Sequence, residues 1–213
     1  LDYIKLGNLL KYVPICLLSF SIILLVGKRY NKRGALFFSF ICVLLFFELI
    51  SFYFGKYQAS NIFLIPIIGY TNFLFLLQWY TSRMQLITKK LKIALIVFGA
   101  VILIFNFLLL TGTRSFYSYG TMLYNLSIVI FSLLYFNAVI IKKITSTRHS
   151  LLLNISILFF FLTDVIISLA LNYLINQHLN WVAPFWIFRA ILLQLFYISL
   201  ILYVWNTGKT QKL

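Results

Sequence analysis

Two carboxylates and one guanidinium stand inside stretches that otherwise read as hydrocarbon: Glu48 in "LLFFELISFYF", Asp164 in "FFFLTDVIISLA" and Arg189 in "PFWIFRAILLQLFY". Asp2 is the only other acid in the chain. One charge at the centre of a membrane helix costs about 2.5–3.5 kcal/mol on insertion scales, so three such groups call for partners. A guanidinium fork takes a carboxylate bidentately and has donors left for a second. An Asp164, Arg189, Glu48 cluster is therefore expected, either as a buried lock on helix packing or as a ligand or ion site. A carboxylate left free by the arginine would also serve acid–base chemistry. Ser168 and Asn172 follow Asp164 at four-residue steps, which puts a polar stripe on the same helix face.

No other constellation points to catalysis. HExxH and GxSxG are absent, Cys16 and Cys42 lie in separate apolar runs without CxxC spacing, and His149 and His178 fall in loops on opposite sides. No catalytic residue, metal site or cofactor is expected.

The elements that position the three charges follow from composition. Of 213 residues 63% are hydrophobic and 10% charged, with 23 Phe and 14 Tyr, and the mean hydropathy is +1.01. Soluble domains run at roughly 25% charged, so most of these side chains need lipid as solvent. The reading is an all-α polytopic membrane protein, one domain over 1–213, with no linker or low-complexity tract to divide it. Seven apolar runs, at 6–26, 35–54, 62–80, 92–110, 120–141, 151–173 and 181–204, are each long enough to span as a helix. The first run, followed by a basic loop and by no small-residue cleavage motif, is expected to remain as the first helix. Pro66 and Pro184 open helices 3 and 7, and Pro14 is expected to kink helix 1.

Loop charges give an orientation. Lys28, Arg29, Lys32, Arg33, Arg83, Lys89, Lys90, Lys92, Lys142, Lys143, Arg148, Lys209 and Lys212 fall on one side; only Lys5, Lys11, Lys56 and Arg114 fall on the other. The positive-inside rule then puts the N-terminus outside and the C-terminus in the cytoplasm. Tyr57, Tyr117, Tyr119, Tyr173 and Trp181 are expected at the outer interface, and Trp79, Tyr80 and Trp205 at the inner one. Glu48, Asp164 and Arg189 all come out roughly 7–14 Å below the outer interface at about 1.5 Å per residue. The net charge of +15 is spread over short loops and forms no continuous face, which excludes a nucleic-acid partner and points to anionic lipid, with a cytoplasmic protein as a second option.

An offset of 116 residues carries Glu48 onto Asp164 and "LLQWY" at 76–80 onto "LLQLFY" at 192–197, matching Gln78 with Gln194. Helices 1–3 would then repeat in parallel as helices 5–7, with helix 4 as the inverting linker and the two glutamines as a second polar layer. Asn72, Asn106, Asn125, Ser132 and Asn137 read mainly as interhelical hydrogen bonds.

Seven spans, an outside N-terminus and a 3+1+3 order resemble the SWEET sugar transporters, whose Pro-Gln motifs are missing here. They also resemble microbial rhodopsins, but helix 7 has no lysine for a Schiff base, so no retinal is expected. The whole chain is similar to the seven-helix sensor modules at the N-terminus of bacterial histidine kinases. That resemblance implies a bacterial inner-membrane receptor-like or accessory subunit. A small-solute or proton-coupled transporter is the alternative.

Overall fold

The computed structural model describes residues 9–57, 61–84, 87–112, 119–177 and 182–210. Seven long helices follow one another: α1 (Tyr12–Leu25), α2 (Lys32–Tyr57), α3 (Leu64–Met84), α4 (Lys89–Gly112), α5 (Tyr119–Ile140), α6 (Arg148–Gln177) and α7 (Val182–Thr207). Two short strands, β1 (Lys28–Tyr30) and β2 (Gly208–Thr210), pair antiparallel with Arg29 opposite Lys209. Among the described residues each apolar run after the first is one helix, and the first is divided by a turn at Lys11.

By length and composition, five of these helices can cross a bilayer: α2, α4, α5, α6 and α7. The other two differ for separate reasons. α1 has 14 residues, because Pro14 lacks the N–H that would bond the Leu10 carbonyl, and the helix restarts at Tyr12 after a turn at Lys11. The interruption expected at Pro14 therefore falls just before it. α3 has 21 residues but carries Asn72, Gln78 and Arg83, and it is an interior helix, burying Gly69, Phe73, Leu76, Leu77, Trp79 and Tyr80 among its neighbours. A helix enclosed by protein has no need to be apolar throughout.

Packing runs α1–α2–α3–α5–α6–α7 and closes through α7 onto α1 and α2, with α4 set outside against α3 and α5. The core is the shared interior of that ring, built around Leu18, Phe37, Phe40, Leu76, Trp79, Tyr135, Phe161 and Leu200. Large apolar side chains are also exposed on the outer surface of every helix but α3, for example Phe20, Phe46, Ile93, Phe105, Phe159, Phe188 and Leu202. A surface this apolar is costly in water and is what lipid tails accept.

One end of the bundle gathers the cations. β1 and β2 bring the α1–α2 loop to the end of α7, Arg83 bonds Ser150 at the start of α6, and Tyr135 bonds Ser146 in the loop before it. Lys32 and Arg33 begin α2, Lys89 and Lys90 begin α4, and Arg148 begins α6, with no acid in any of these first turns. Cations there oppose the helix dipole, so their value lies outside helix stability. Trp205 sits at this end with the Lys28 ammonium 3.2 Å from its ring centroid and 3.2 Å from its own carbonyl oxygen. Trp79 and Tyr80, expected at the inner interface, are instead fully buried within the ring, because their helix is the enclosed one. Tyr57, Tyr119 and Tyr173 lie at the opposite end; Tyr117 and Trp181 are outside the described residues.

α4 has few side chains to hold it, and its attachment is correspondingly specific. Tyr70 and Tyr124 donate hydroxyls to the backbone carbonyls of Ile96 (3.1 Å) and Gly99 (2.7 Å). Gly99 permits that approach, since a Cβ there would lie 2.8 Å from the Tyr70 ring. Replacing Gly99 by Val should cost about 1–3 kcal/mol through overpacking, read as a lowered midpoint of thermal unfolding in detergent. Phe98→Ala, on the exposed side of the same helix, should leave the midpoint nearly unchanged.

Candidate functional site

The charges converge on α7. Arg189 grips Asp164 of α6 bidentately, Nε donating to Oδ1 and Nη2 to Oδ2, the latter at 3.3 Å. Asn125 of α5 donates to Asp164 Oδ2 at 2.7 Å. Three N–H groups thus satisfy one carboxylate, which explains how it sits with 4% of its side chain accessible while 27% of the Arg189 side chain is. The guanidinium carbon also lies 5.2 Å from the Trp186 ring centroid and 6.0 Å from that of Phe160, so aromatic faces cover what the carboxylate leaves.

Glu48 lines the same cavity and is held by a donor that the sequence did not point to. Its partner is the hydroxyl of Tyr197, donating to Oε1 at 2.8 Å, rather than the arginine fork. The reason is axial: Tyr197 is eight residues further along α7 than Arg189, about 12 Å at 1.5 Å per residue, and its side chain leans back toward the helix start to meet a carboxylate at an intermediate level. α7 therefore carries one partner for each buried acid.

Between these groups lies a cavity of about 200 Å³ bordered by α2, α3, α5, α6 and α7. Glu48, Asp164, Ser168, Asn72, Asn125 and Arg189 supply its polar wall, and Phe160, Leu193 and Phe196 part of its apolar one. It sits where α2 and α6 end and α3, α5 and α7 begin, which is the end away from the cations. Ser168 is buried on that wall, as the four-residue spacing suggested. Asn172 lies one turn further along α6, with its side chain outside the described residues.

Gln78 and Gln194 do not form a layer. Gln78 is exposed and receives the Lys92 ammonium of α4, while Gln194 is half-buried on α7 with its Nε2 unpartnered. The buried face of α3 passes through positions 73, 76, 77 and 80, and position 78 falls off it.

The second polar layer is built from residues that sequence reasoning assigned elsewhere or passed over. Tyr80 donates to Asn154 Oδ1 at 2.7 Å, Ser132 to the same oxygen at 3.0 Å, and Asn154 Nδ2 returns a bond to the Ser132 carbonyl at 3.2 Å. Below it Arg83, read from sequence as a loop cation, reaches Ser150 at 2.8 Å and Tyr203 at 3.4 Å. Phe37, Trp79, Tyr135 and Tyr203 fill the same level, with ring centroids 5.0 to 5.6 Å apart between Phe37 and Tyr203, Phe37 and Trp79, and Trp79 and Tyr135. All four rings are buried, and along α2, α3, α5 and α7 they lie between the cavity and the basic end.

Compared with protein-family models, with curated proteins and with solved structures, the chain matches none. The site must therefore be read from its own geometry.

The Asp164–Arg189 pair gives a direct test. Arg189→Leu strands a buried carboxylate and should cost about 3–5 kcal/mol, and adding Asp164→Leu should recover part of that loss. Unfolding midpoints of the two variants in detergent check both statements; a double variant no more stable than the single one would show that the pair is not coupled.

Proposed function

We propose that the chain is a seven-helix bacterial inner-membrane protein, with its N-terminus outside and its C-terminus in the cytoplasm, that acts as a receptor-like or accessory subunit. It takes a small ligand into the cavity near Glu48, Asp164 and Arg189 and passes the occupied state to the basic end. The observation that carries this reading is the span of α7. One helix presents Arg189 and Tyr197 to the cavity, places Tyr203 in the aromatic layer, and ends in β2 paired with β1. A ligand that competes for either carboxylate changes what α7 is bonded to, and a shift of α7 moves the strand pair with it. Discrete bonding alternatives of this kind are what a two-state coupling needs.

Closure of the cavity toward the cations supports reception over transport. In this reading the output is delivered to a signalling or membrane partner, as the expected resemblance to histidine-kinase sensor modules implies. Anionic lipid headgroups are the natural neighbours of Lys28, Lys32, Lys89, Lys90 and Lys142, all at the basic end. The alternative, a transporter of 3+1+3 architecture, draws on one feature of the packing: α1 meets α7 and α3 meets α5, which are equivalent pairs under the repeat. The close contact of α2 with α7 has no α6–α3 counterpart of comparable extent, which weakens it.

Two measurements test the proposal. In a background lacking Cys16 and Cys42, Lys32→Cys in intact cells should resist an impermeant thiol reagent and Tyr57→Cys should react; reversed labelling overturns the orientation. Proteoliposomes should show no net uptake of a bound solute. Flux that Asp164→Asn abolishes would replace the receptor with the transporter.

A further inference from the structure

We propose that the ligand of this cavity is a small organic monocation, a primary amine with a short apolar tail, with Glu48 as its counter-ion. The inference rests on the ligand-site reading above and adds the chemical class. Three ionisable charges border the cavity. Arg189 and Asp164 cancel, because the guanidinium is committed through two of its nitrogens to both oxygens of that carboxylate. Asp164 is further satisfied by Asn125. Glu48 is left over. Among the described residues its one hydrogen-bond donor is Tyr197, to Oε1, and no second cation lines the space. The nearest described lysine on the same helix, Lys56, is turned to the rings of Phe52 and Tyr57 at the helix end.

An ionised carboxylate half-buried among apolar walls is strongly favoured by a cation brought to it. The polar groups around it fit an ammonium better than an anion or a neutral hydroxyl. Asn72 also borders the cavity, and its amide oxygen is buried with no donor among the described residues. Ser51 Oγ, also on the wall, accepts from Asn61 at 2.6 Å and keeps a second lone pair. Glu48 Oε2 and the Ser51 hydroxyl are thus acceptors on this wall for the N–H groups of an ammonium. An anionic ligand would face the surplus negative charge, and the one guanidinium among the described residues of the wall is already paired. Leu193, Phe160 and Phe196 give a tail an apolar surface. At about 200 Å³ the cavity has room for such a tail.

The test compares three probes of one shape, n-propylamine, 1-propanol and propionate, binding to the full chain in nanodiscs by ligand-observed NMR with competition titration. The amine should bind more tightly than the alcohol and the carboxylate. Glu48→Gln, which keeps an acceptor for Tyr197, should weaken the amine by about tenfold or more while leaving the alcohol unchanged. An amine held no better than the alcohol, as when Glu48 takes a proton in place of a ligand, would overturn the proposal, and so would amine affinity that survives Glu48→Gln. If propanol or propionate binds without amine preference, the charge assignment fails and the ligand site stands. If none of the three binds a folded wild type, the ligand-site reading fails with it.

Discussion

Arg189 is a permanent cation near the start of an apolar helix, and the chain owns only three acids with which to neutralise it. That constraint orders the upper half of the bundle. Asp164 must come to the arginine, so α6 packs on α7; Asn125 must come to Asp164, so α5 joins them. Glu48, without a guanidinium to share, is brought to the same helix by Tyr197. Each bond would be weak or absent in water, where both partners are solvated. In a low-dielectric interior an unmet charge costs several kcal/mol, and the helices are arranged to avoid that. The cavity is the space left where groups of differing length meet from five helices, and its wall is polar because those groups were gathered for neutralisation.

The lower half obeys a different rule. There the interior is sealed by aromatic rings and by hydroxyl and amide groups that satisfy one another, with Asn154 bonded to Tyr80 and Ser132 as the most completely paired. Cations stand outside the seal, at helix ends and in the strand pair, against the local dipoles. A charged wall at one end, a sealed aromatic layer at the other, and α7 running through both give the molecule a direction. The receptor proposal depends on that direction more than on any single residue.

Much of this was legible in the sequence, for reasons that can be named. Helices were readable because a bilayer-length apolar run has no other stable conformation. The ion pair was readable because opposite charges in hydrocarbon have few alternatives, and Ser168 because a four-residue step stays on one helix face. Glu48 was placed correctly at the cavity that Arg189 lines, but its hydrogen-bond donor was not foreseen: a tyrosine in an aromatic-rich chain carries no signal that its hydroxyl is spoken for. Asn154 drew no notice and Arg83 looked like loop chemistry, since only the packing of α3 between α2, α4 and α5 sets the buried level that they join. The same packing misled the reading of Trp79 and Tyr80 as interfacial. Gln78 failed for a simpler reason, as matching sequence positions across the repeat said nothing about which face of α3 is enclosed.

The central claim is that one end of the bundle admits solutes to the charged cavity and the other does not. Ser168, on the cavity wall, offers the most direct measurement: Ser168→Cys, in a background lacking Cys16 and Cys42, exposed in oriented vesicles to a small impermeant thiol reagent from each face in turn. The account predicts modification from the face that carries Tyr57 and none from the face that carries Trp205. Modification from the Trp205 face, or equally from both, would contradict it.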